Sequence, residues 1–254
     1  MLLALDVGNT QTHIGVFEGS RLAEHWRFAT DRAATGDEVA VVVRGLLGLS
    51  GIDFEDIDAT IVSSVVPRLG PEYLQMAERH LGGEVQIVAP GLRTGMPIRM
   101  DNPHEVGADR LVNAVAAYDR FKGPCAVVDF GTAITFDVVS AGGEYLGGVI
   151  APGIEISLEA LSERAAKLPR IDLAAPASVV GKTTQASIQS GVMYGFAGAI
   201  DAIARRVSEE VGLDMRFIAT GGLAATVVPH CAAIDEVDDL LTLTGLQLLH
   251  ARNA

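Results

Sequence analysis

The stretch LALDVGNTQTHIGVF, residues 3–17, places a carboxylate inside an apolar run and then breaks that run with Gly8, Asn9 and Thr10. The apolar residues on either side predict two strands joined by a tight turn. A carboxylate in a buried strand is costly unless a cation or hydrogen bonds compensate it. Asp6 therefore predicts a cation or a polar ligand close to this turn.

A second stretch, CAVVDFGTAITFDVV at residues 125–139, repeats this order of features about half a chain later. An ungapped alignment pairs Asp6 with Asp129, Gly8 with Gly131, and Thr12 with Thr135. Glycine lets a ligand approach the backbone, and the N–H groups of such turns can hold phosphate oxygens. Chance repetition of a strand–turn–strand pattern is the alternative. The shared chemistry predicts that Asp6 and Asp129 bracket a Mg²⁺-bound polyphosphate, with the metal held mainly by phosphate and water.

The remaining periodicity predicts an α/β fold of two similar units, each with a mixed sheet. The predicted strands are 2–7, 13–17, 59–64, 85–88, 125–130, 134–139, 145–150 and 216–220. The predicted helices are 38–49, 71–81, 109–121, 153–167, 186–211 and 237–250. We place the boundary within 115–124, which gives an N-terminal domain 1–117 and a C-terminal domain 118–254. Since no low-complexity linker separates them, we expect them to pack closely around a nucleotide cleft.

Composition excludes several classes of protein. The chain has 254 residues, 49% of them hydrophobic, and a net charge of −13. A nucleic-acid partner is not expected, because phosphate neutralisation requires a basic surface. No apolar run approaches the roughly 18 residues of a membrane span, so no membrane association is expected. Only two cysteines are present, which fits a reducing cytoplasm.

The stretch VVGKTTQAS, residues 179–187, is similar to the end of a P-loop motif. That motif requires glycine where this chain has Pro176, and no clear strand precedes it. We therefore interpret the stretch as a loop followed by a helix cap at Thr183 or Thr184.

The stretch FIATGGLAA, residues 217–225, is a better nucleotide signal. Gly221 and Gly222 follow a predicted strand, where bare backbone leaves room for a base or ribose. A Gly-Gly turn is common and is weak evidence alone. It indicates a nucleotide site only because the chain also contains the two aspartate–glycine turns.

The stretch DNPHEVGADRLVNAVAAY, residues 101–118, carries the best acid–base signal. Gly107 ends a loop, and Asp109 lies in the predicted first turn of a helix, where the dipole favours its charged form. One interpretation is a carboxylate that only stabilises the helix start. The other is a general base in phosphoryl transfer, whose loose transition state needs the proton removed only late. Arg110 could hold a substrate carboxylate bidentately or form a surface ion pair with Glu105.

Taken together these motifs resemble type III pantothenate kinase, in the superfamily of acetate and sugar kinases, heat-shock chaperone ATPases and actin. The resemblance covers nearly the whole chain, and DNPHEVGADR is its specific part. It implies two similar ribonuclease H-like (actin-like ATPase) domains, a homodimer, and ATP- and Mg²⁺-dependent phosphorylation of pantothenate, the first step of coenzyme A synthesis. The matching motifs are DVGNT (6–10), DNPHEVGADR (101–110), DFGTA (129–133), GGVIAPGI (147–154), GKTT (181–184) and TGG (220–222).

The resemblance also implies residue roles. The first phosphate loop comprises Asp6, Val7, Gly8, Asn9, Thr10, Gln11, Thr12 and His13, and Thr132 is a further nucleotide contact. The pantothenate site comprises Gly107, Ala108, Asp109, Arg110 and Thr184, with Asp109 as catalytic base. Asp129 binds an activating monovalent cation, K⁺ or NH₄⁺.

Met100 departs from the family pattern, because many members carry a tyrosine just before the Asp-Asn-Pro. This puts the affinity for the substrate in doubt and leaves the reaction unaffected. Two other functions remain open from the sequence. One is a kinase of the same superfamily that acts on another small hydroxy acid or sugar. The other is a nucleotide-binding regulator without turnover.

Overall fold

The structure is a computed structural model that describes residues 1–165, 167–212 and 214–254. The described chain forms two compact units. The first comprises Met1–Pro97, Asp101–Ala116 and Leu240–Ala254, and the second comprises Ile98–Met100 and Ala117–Asp239. Each unit contains one five-stranded mixed sheet.

The sheet of the first unit has the strand order β3-β2-β1-β4-β5. Strand β1 lies at its centre, antiparallel to β2 and parallel to β4. The strands are β1 (Leu2–Val7), β2 (Gln11–Glu18), β3 (Arg21–Ala29), β4 (Ala59–Ser64) and β5 (Glu84–Ile87). The helices are α1 (Gly36–Gly48), α2 (Leu69–His80), α3 (Ala108–Phe121), which ends in the second unit, and α7 (Leu241–Asn253).

The sheet of the second unit has the strand order β10-β9-β6-β7-β8. Its central strand β6 is antiparallel to β7 and parallel to β9. The strands are β6 (Cys125–Phe130), β7 (Ala133–Val139), β8 (Tyr145–Pro152), β9 (Arg216–Thr220) and β10 (Glu236–Val237). The helices are α4 (Ile154–Arg164), α5 (Thr184–Val211) and α6 (Ala224–Val227).

The two sheets have the same topology when β1–β5 are matched in order with β6–β10. Asp6 and Asp129 each lie next to the last residue of the central strand, so the internal repeat detected in the sequence is structural. The predicted α/β class with a mixed sheet in each half is confirmed.

The ungapped alignment of the repeats is wrong by one residue beyond the turn. Val7 pairs with Thr12 across the first turn, whereas Phe130 pairs with Ile134 across the second. The first turn is therefore one residue longer. The partner of Asp6 is His13, so the equivalent of Thr135 is His13 and not Thr12.

Helices pack against both faces of the sheet in the first unit. In the first unit the core includes Leu3, Leu5 and Val7 of β1 together with residues of α1 and α2. The opposite face contacts α7, whose buried residues include Leu241, Leu243, Leu246 and Leu249. This apolar stripe explains why α7 groups with the first unit, although it follows the second half in sequence. The division into domains 1–117 and 118–254 stays a prediction.

All the predicted strands and helices are present, with ends that differ by a few residues. The predicted helix 153–167 includes residue 166, which lies outside the described residues; the observed helix ends at Arg164. Strand β3, strand β10 and helix α6 are not anticipated by the sequence patterns. In the part of the chain that the structure describes, no helix combines the length and apolarity needed to cross a bilayer.

Candidate active site

The turn between β1 and β2 presents backbone to solvent. The Gly8 N–H donates a hydrogen bond to the Gln11 carbonyl at 3.1 Å, which closes the turn around Asn9 and Thr10. Asn9, Thr10 and Gln11 are exposed. A Cβ atom on Gly8 would lie 2.7 Å from the Gln11 carbonyl oxygen, so the tight turn requires glycine here. Exposed backbone of this kind is suited to phosphate oxygens.

Two members of the predicted phosphate loop direct their side chains into the core. Val7 and Thr12 are fully buried. The Thr12 hydroxyl lies 2.9 Å from the Thr30 hydroxyl and 3.2 Å from that of Tyr73. These two residues therefore position the turn, and their buried side chains do not face a ligand outside it.

His13 and Arg27 lie beside Asp6 on adjacent strands. His13 is the cross-strand partner of Asp6 on one side and of Arg27 on the other, so the three side chains share one face of the sheet. Burial, with smaller effects of the Arg27 and His25 charges, lowers the pKa of His13 to about 4. His13 is therefore a neutral imidazole at physiological pH, able to donate one hydrogen bond without adding charge.

Arg32 contacts the turn between β1 and β2, and the sequence patterns did not predict this residue as part of the site. Its guanidinium donates to the Asn9 side-chain oxygen at 3.1 Å and lies 3.4 Å from the Asn9 carbonyl. It places a positive charge beside the turn. An exposed arginine 23 residues away in sequence carries no local motif, so only the folded structure identifies it.

The turn between β6 and β7 lies against the start of α4. The Gly131 N–H donates to the Ala133 carbonyl at 3.1 Å, and Thr132 is exposed at the tip. A Cβ atom on Gly153, the N-cap of α4, would lie 2.1 Å from the Thr132 carbonyl oxygen. Glycine at 153 thus lets the N-terminus of α4 approach this turn, and helix N-termini favour anions.

Asp129 and Gly221 are neighbours at the ends of β6 and β9. Asp129 pairs with Thr220 in parallel register. Gly221 has a φ of 94°, and a Cβ atom there would lie 2.5 Å from Asp129 Oδ1. Gly222 is exposed, with open space where its Cβ would be. The structure therefore brings together the predicted cation ligand, Asp129, and the two glycines predicted to contact the nucleotide, Gly221 and Gly222, which we call the glycine platform.

The oxygen atoms around Asp129 fit a hard cation. Thr135 is its cross-strand partner and offers a hydroxyl on the same face. Carboxylate and hydroxyl oxygens are ligands that hard cations prefer. No group of three or more His, Cys, Asp and Glu side chains that could hold a metal ion occurs among the described residues.

The start of α3 holds the predicted base in a defined place. The Arg110 backbone N–H donates to Asp109 Oδ1 at 2.7 Å, and Asp109 lies in the first turn of α3. A Cβ atom on Gly107 would lie 2.7 Å from Asp109 Oδ1, so this side chain packs over bare backbone. The hydrogen bond and the packing fix the carboxylate, while Asp109 and Arg110 stay partly exposed.

The GKTT stretch forms a helix cap and not a P-loop. The Thr183 hydroxyl accepts from the Ala186 N–H at 3.1 Å, which makes Thr183 the N-cap of α5. Thr184 is the first residue of the helix and is exposed. Residues 167–183, all of them described, contain no strand.

Met100, the residue that departs from the family pattern, lies near Gly147 of β8. Its Cγ is 3.7 Å from the position that a Cβ atom on that glycine would occupy.

The candidate residues thus occur in two sets. The first unit contains the turn 6–13 and the segment 107–110, and the second contains Asp129, Thr132, Thr184, Gly221 and Gly222.

Solved structures with this fold include nucleotide-binding proteins and kinases. A Campylobacter jejuni protein described as a Baf family transcriptional activator aligns with 99% of this chain and 98% of its own at a TM-score of 0.61 and 18% identity. The activator of 2-hydroxyisocaproyl-CoA dehydratase from Clostridium difficile, with bound ADPNP, aligns with 98% of this chain and 93% of its own at a TM-score of 0.54 and 13% identity. At such identities these likenesses show the fold alone. The chain therefore has the same two-unit α/β fold as these proteins.

Sequence relatives define the particular family. The family model for type III pantothenate kinase matches residues 2–206. The type III pantothenate kinase of Myxococcus xanthus is 51% identical over 253 residues, covering 100% of this chain and 99% of the relative. That of Moorella thermoacetica is 49% identical over 253 residues and 100% of both chains. The chain belongs to the type III pantothenate kinase family.

Proposed function

We propose that this protein transfers the γ-phosphoryl group of ATP to the primary hydroxyl of pantothenate, giving 4′-phosphopantothenate for coenzyme A synthesis. The observation that carries the proposal is the 51% identity to a type III pantothenate kinase along the full length of both chains. The fold agrees, since it is shared with kinases.

Asp109 is assigned as the general base. Its carboxylate is fixed by the Arg110 N–H and the bare Gly107 backbone, as a group that accepts a hydroxyl proton must be. Arg110 is assigned to the carboxylate of pantothenate, because a guanidinium can bind a carboxylate through two parallel hydrogen bonds. Thr184 is assigned as a further substrate contact through its exposed hydroxyl.

The nucleotide is assigned to the two turns and the glycine platform. The turn 8–11, which is exposed at residues 9–11, binds phosphate oxygens, assisted by Asp6 and His13. Thr132, Gly221 and Gly222 contact the nucleotide. Mg²⁺, when bound, neutralises phosphate charge, and Asp6 would hold it through its carboxylate or a bound water. The free thiols Cys125 and Cys231 fit the cytoplasm, where ATP is available.

The first experiment is ADP release by the purified protein with Mg-ATP, with and without pantothenate. Turnover that requires pantothenate supports the proposal. If ATP binds and pantothenate does not stimulate turnover, the proposal fails. A panel of small hydroxy acids and sugars then separates another kinase of the superfamily from a regulator, because only the kinase turns over with some member of the panel.

Asp129 is assigned as the ligand of an activating monovalent cation, K⁺ or NH₄⁺. We expect Asp129→Ala to abolish the rise in turnover with K⁺, because the uncharged Thr135 hydroxyl that remains cannot balance the cation charge. The measurement is the rate of ADP release against K⁺ concentration at constant ionic strength, with Na⁺ as the replacement. A K⁺ titration that the substitution leaves unchanged would remove Asp129 from this role.

We assign the interface of a homodimer to the apolar edge of the second sheet. The edge strands β3 and β8 are topologically equivalent but differ in character. Exposed residues of β3 include Arg21, Glu24, His25 and Arg27, the charged pattern that protects free sheet edges. Exposed residues of β8 are Leu146, Gly148, Ile150 and Pro152. Exposed Ile156, Leu161, Val179 and Val180 extend the apolar surface of this unit, which fits coverage by a second copy of the chain.

We expect Ile150→Asp to convert the dimer to a monomer of 26.6 kDa, because it would bury an unpaired charge in the interface. Ile150 is 65% exposed in the single chain, so folding of the monomer should be unaffected. Light scattering after size-exclusion chromatography measures the mass. The matched control is Val41→Asp, at a residue 74% exposed on α1 of the first unit, which should leave the dimer intact. A monomeric wild type, or a dimeric Ile150→Asp, contradicts the assignment.

A further inference from the structure

A buried hydrogen-bond network in the second sheet has no role in the function assigned above. Asp137 of β7 is fully buried. Tyr145 donates its hydroxyl proton to Asp137 Oδ1 at 2.6 Å, and Thr135 donates its own to Oδ2 at 3.2 Å. A buried carboxylate is expensive even when it is hydrogen-bonded. Its presence in a strand that is mostly apolar therefore requires a reason.

The network lies directly beside Asp129. Asp129 and Thr135 are cross-strand partners, whose side chains share one face at a Cβ separation of about 4.5–5.5 Å. Asp137, two residues further along β7, is on the same face. The opposite face carries the apolar core residues Ile134 and Phe136. The Thr135 hydroxyl is therefore a neighbour of both carboxylates.

The direction of the Thr135 hydrogen bond determines what this hydroxyl can bind. A threonine hydroxyl has one proton and two lone pairs. Because its proton is given to Asp137, Thr135 Oγ1 presents lone pairs to its remaining surroundings. An oxygen held in this state repels another acceptor and attracts a cation.

We propose that Thr135 Oγ1 is a ligand of the monovalent cation at Asp129, and that Asp137 is a positioning residue that holds this oxygen as an acceptor. The inference rests on the cation role proposed for Asp129. Tyr145 supports Asp137 through its other oxygen and does not touch the Thr135 proton. The network thus explains why a carboxylate is retained on β7 two residues beyond the cation ligand Thr135.

Four substitutions separate this role from simple packing. Thr135→Val keeps the shape and removes the oxygen, and Thr135→Ser restores it. Asp137→Asn reverses the direction of the hydrogen bond between residues 135 and 137. The amide N–H can donate to Thr135 Oγ1, and the Thr135 hydroxyl proton then points towards the cation. Tyr145→Phe is the matched control, since it removes a hydrogen bond from the same carboxylate without changing the Thr135 donor.

Two measurements are made on the full-length protein at constant ionic strength. One is the K⁺ concentration for half-maximal turnover with saturating Mg-ATP and pantothenate. The other is the K⁺-dependent rise in Tm without substrates, with Na⁺ in place of K⁺ as reference. For Thr135→Val and Asp137→Asn we expect the half-activating K⁺ concentration to rise by about tenfold or more, the loss typical of one contact to a charged group. Their K⁺-dependent rise in Tm should disappear.

Thr135→Ser should keep the wild-type K⁺ titration, and Tyr145→Phe should keep it within about twofold, as for a change that leaves the contact in place. Wild-type K⁺ titrations in both Thr135→Val and Asp137→Asn would overturn the inference. If Asp137→Asn does not fold, Thr135→Val with its serine rescue decides alone. If Asp129→Ala abolishes the K⁺ response while Thr135→Val keeps it, only this inference fails. If the wild type shows no K⁺ response in either measurement, the proposed cation role of Asp129 fails, and the inference fails with it.

Discussion

Asp109→Asn is expected to keep substrate binding and to lose turnover by a factor of about 10²–10⁴, the contribution typical of a positioned general base. Asparagine has the same shape as aspartate, so it can still accept the hydrogen bond that the Arg110 N–H donates at 2.7 Å. It cannot accept the proton of the attacking hydroxyl. The helix start loses only a favourable charge, worth about 0.3–1 kcal/mol.

Steady-state ADP release gives kcat, and calorimetric titration with pantothenate in the presence of a non-hydrolysable ATP analogue gives the affinity. Asp119→Asn is the matched control, because it makes the same chemical change near the other end of α3, where Asp119 pairs with Lys122 on the surface. That variant should be within about twofold of wild type, as surface substitutions usually are. A kcat near the wild-type value in Asp109→Asn would exclude Asp109 as the base. Loss of pantothenate binding would instead make it a binding residue.

The central strands of both sheets are predictable because burial on both faces produces continuous apolar runs. Strands β1 and β6 are such runs, and each is interrupted only by the aspartate near its carboxyl end. Strand β3 is an exposed edge, and its sequence RLAEHWRFA mixes charged and apolar residues without clean alternation. Its position depends on pairing with β2, a tertiary interaction that local patterns do not encode.

The site is predictable where one residue type suits both backbone and chemistry. Asp6 and Asp129 stand out because a carboxylate in an apolar strand is costly without a partner. Gly221 stands out because bare backbone at the end of a strand leaves room for a ligand. Arg32 does not stand out, because its contact with Asn9 spans 23 residues of sequence. Asp137 carried the same signal as Asp6, a carboxylate in an apolar strand, yet its two hydroxyl partners are identified only by the fold.

Similarity between the two halves also misleads at the level of single residues. The additional residue of the first turn moves Thr12 to the core face, where its hydroxyl meets those of Thr30 and Tyr73. The residue equivalent to Thr135 is His13, whose lowered pKa leaves it neutral. The two halves thus place different chemistry beside equivalent aspartates, a hydroxyl beside Asp129 and an imidazole beside Asp6.

Gly221→Ala is expected to lower kcat/KM by about 100-fold, the effect typical of a displacement of roughly 1 Å within an active site. Gly221 adopts a φ of 94°, which costs about 1–3 kcal/mol for a residue with a side chain. The new Cβ would lie 2.5 Å from Asp129 Oδ1 and 2.7 Å from the Phe130 N and C atoms. Because these backbone atoms cannot yield easily, the Asp129 carboxylate must move.

Gly222→Ala is the control that isolates this effect. It adds the same methyl group one residue later, where no atom lies within 4 Å of the new Cβ and the residue is exposed. We expect its Tm and K⁺ titration to match those of the wild type, whereas Gly221→Ala should lower the Tm and raise the half-activating K⁺ concentration. Any loss in Gly222→Ala should be confined to KM for ATP, because the methyl group can obstruct only a ligand on the platform. If Gly221→Ala retains the wild-type rate and K⁺ titration, the close approach of this backbone to Asp129 has no part in catalysis.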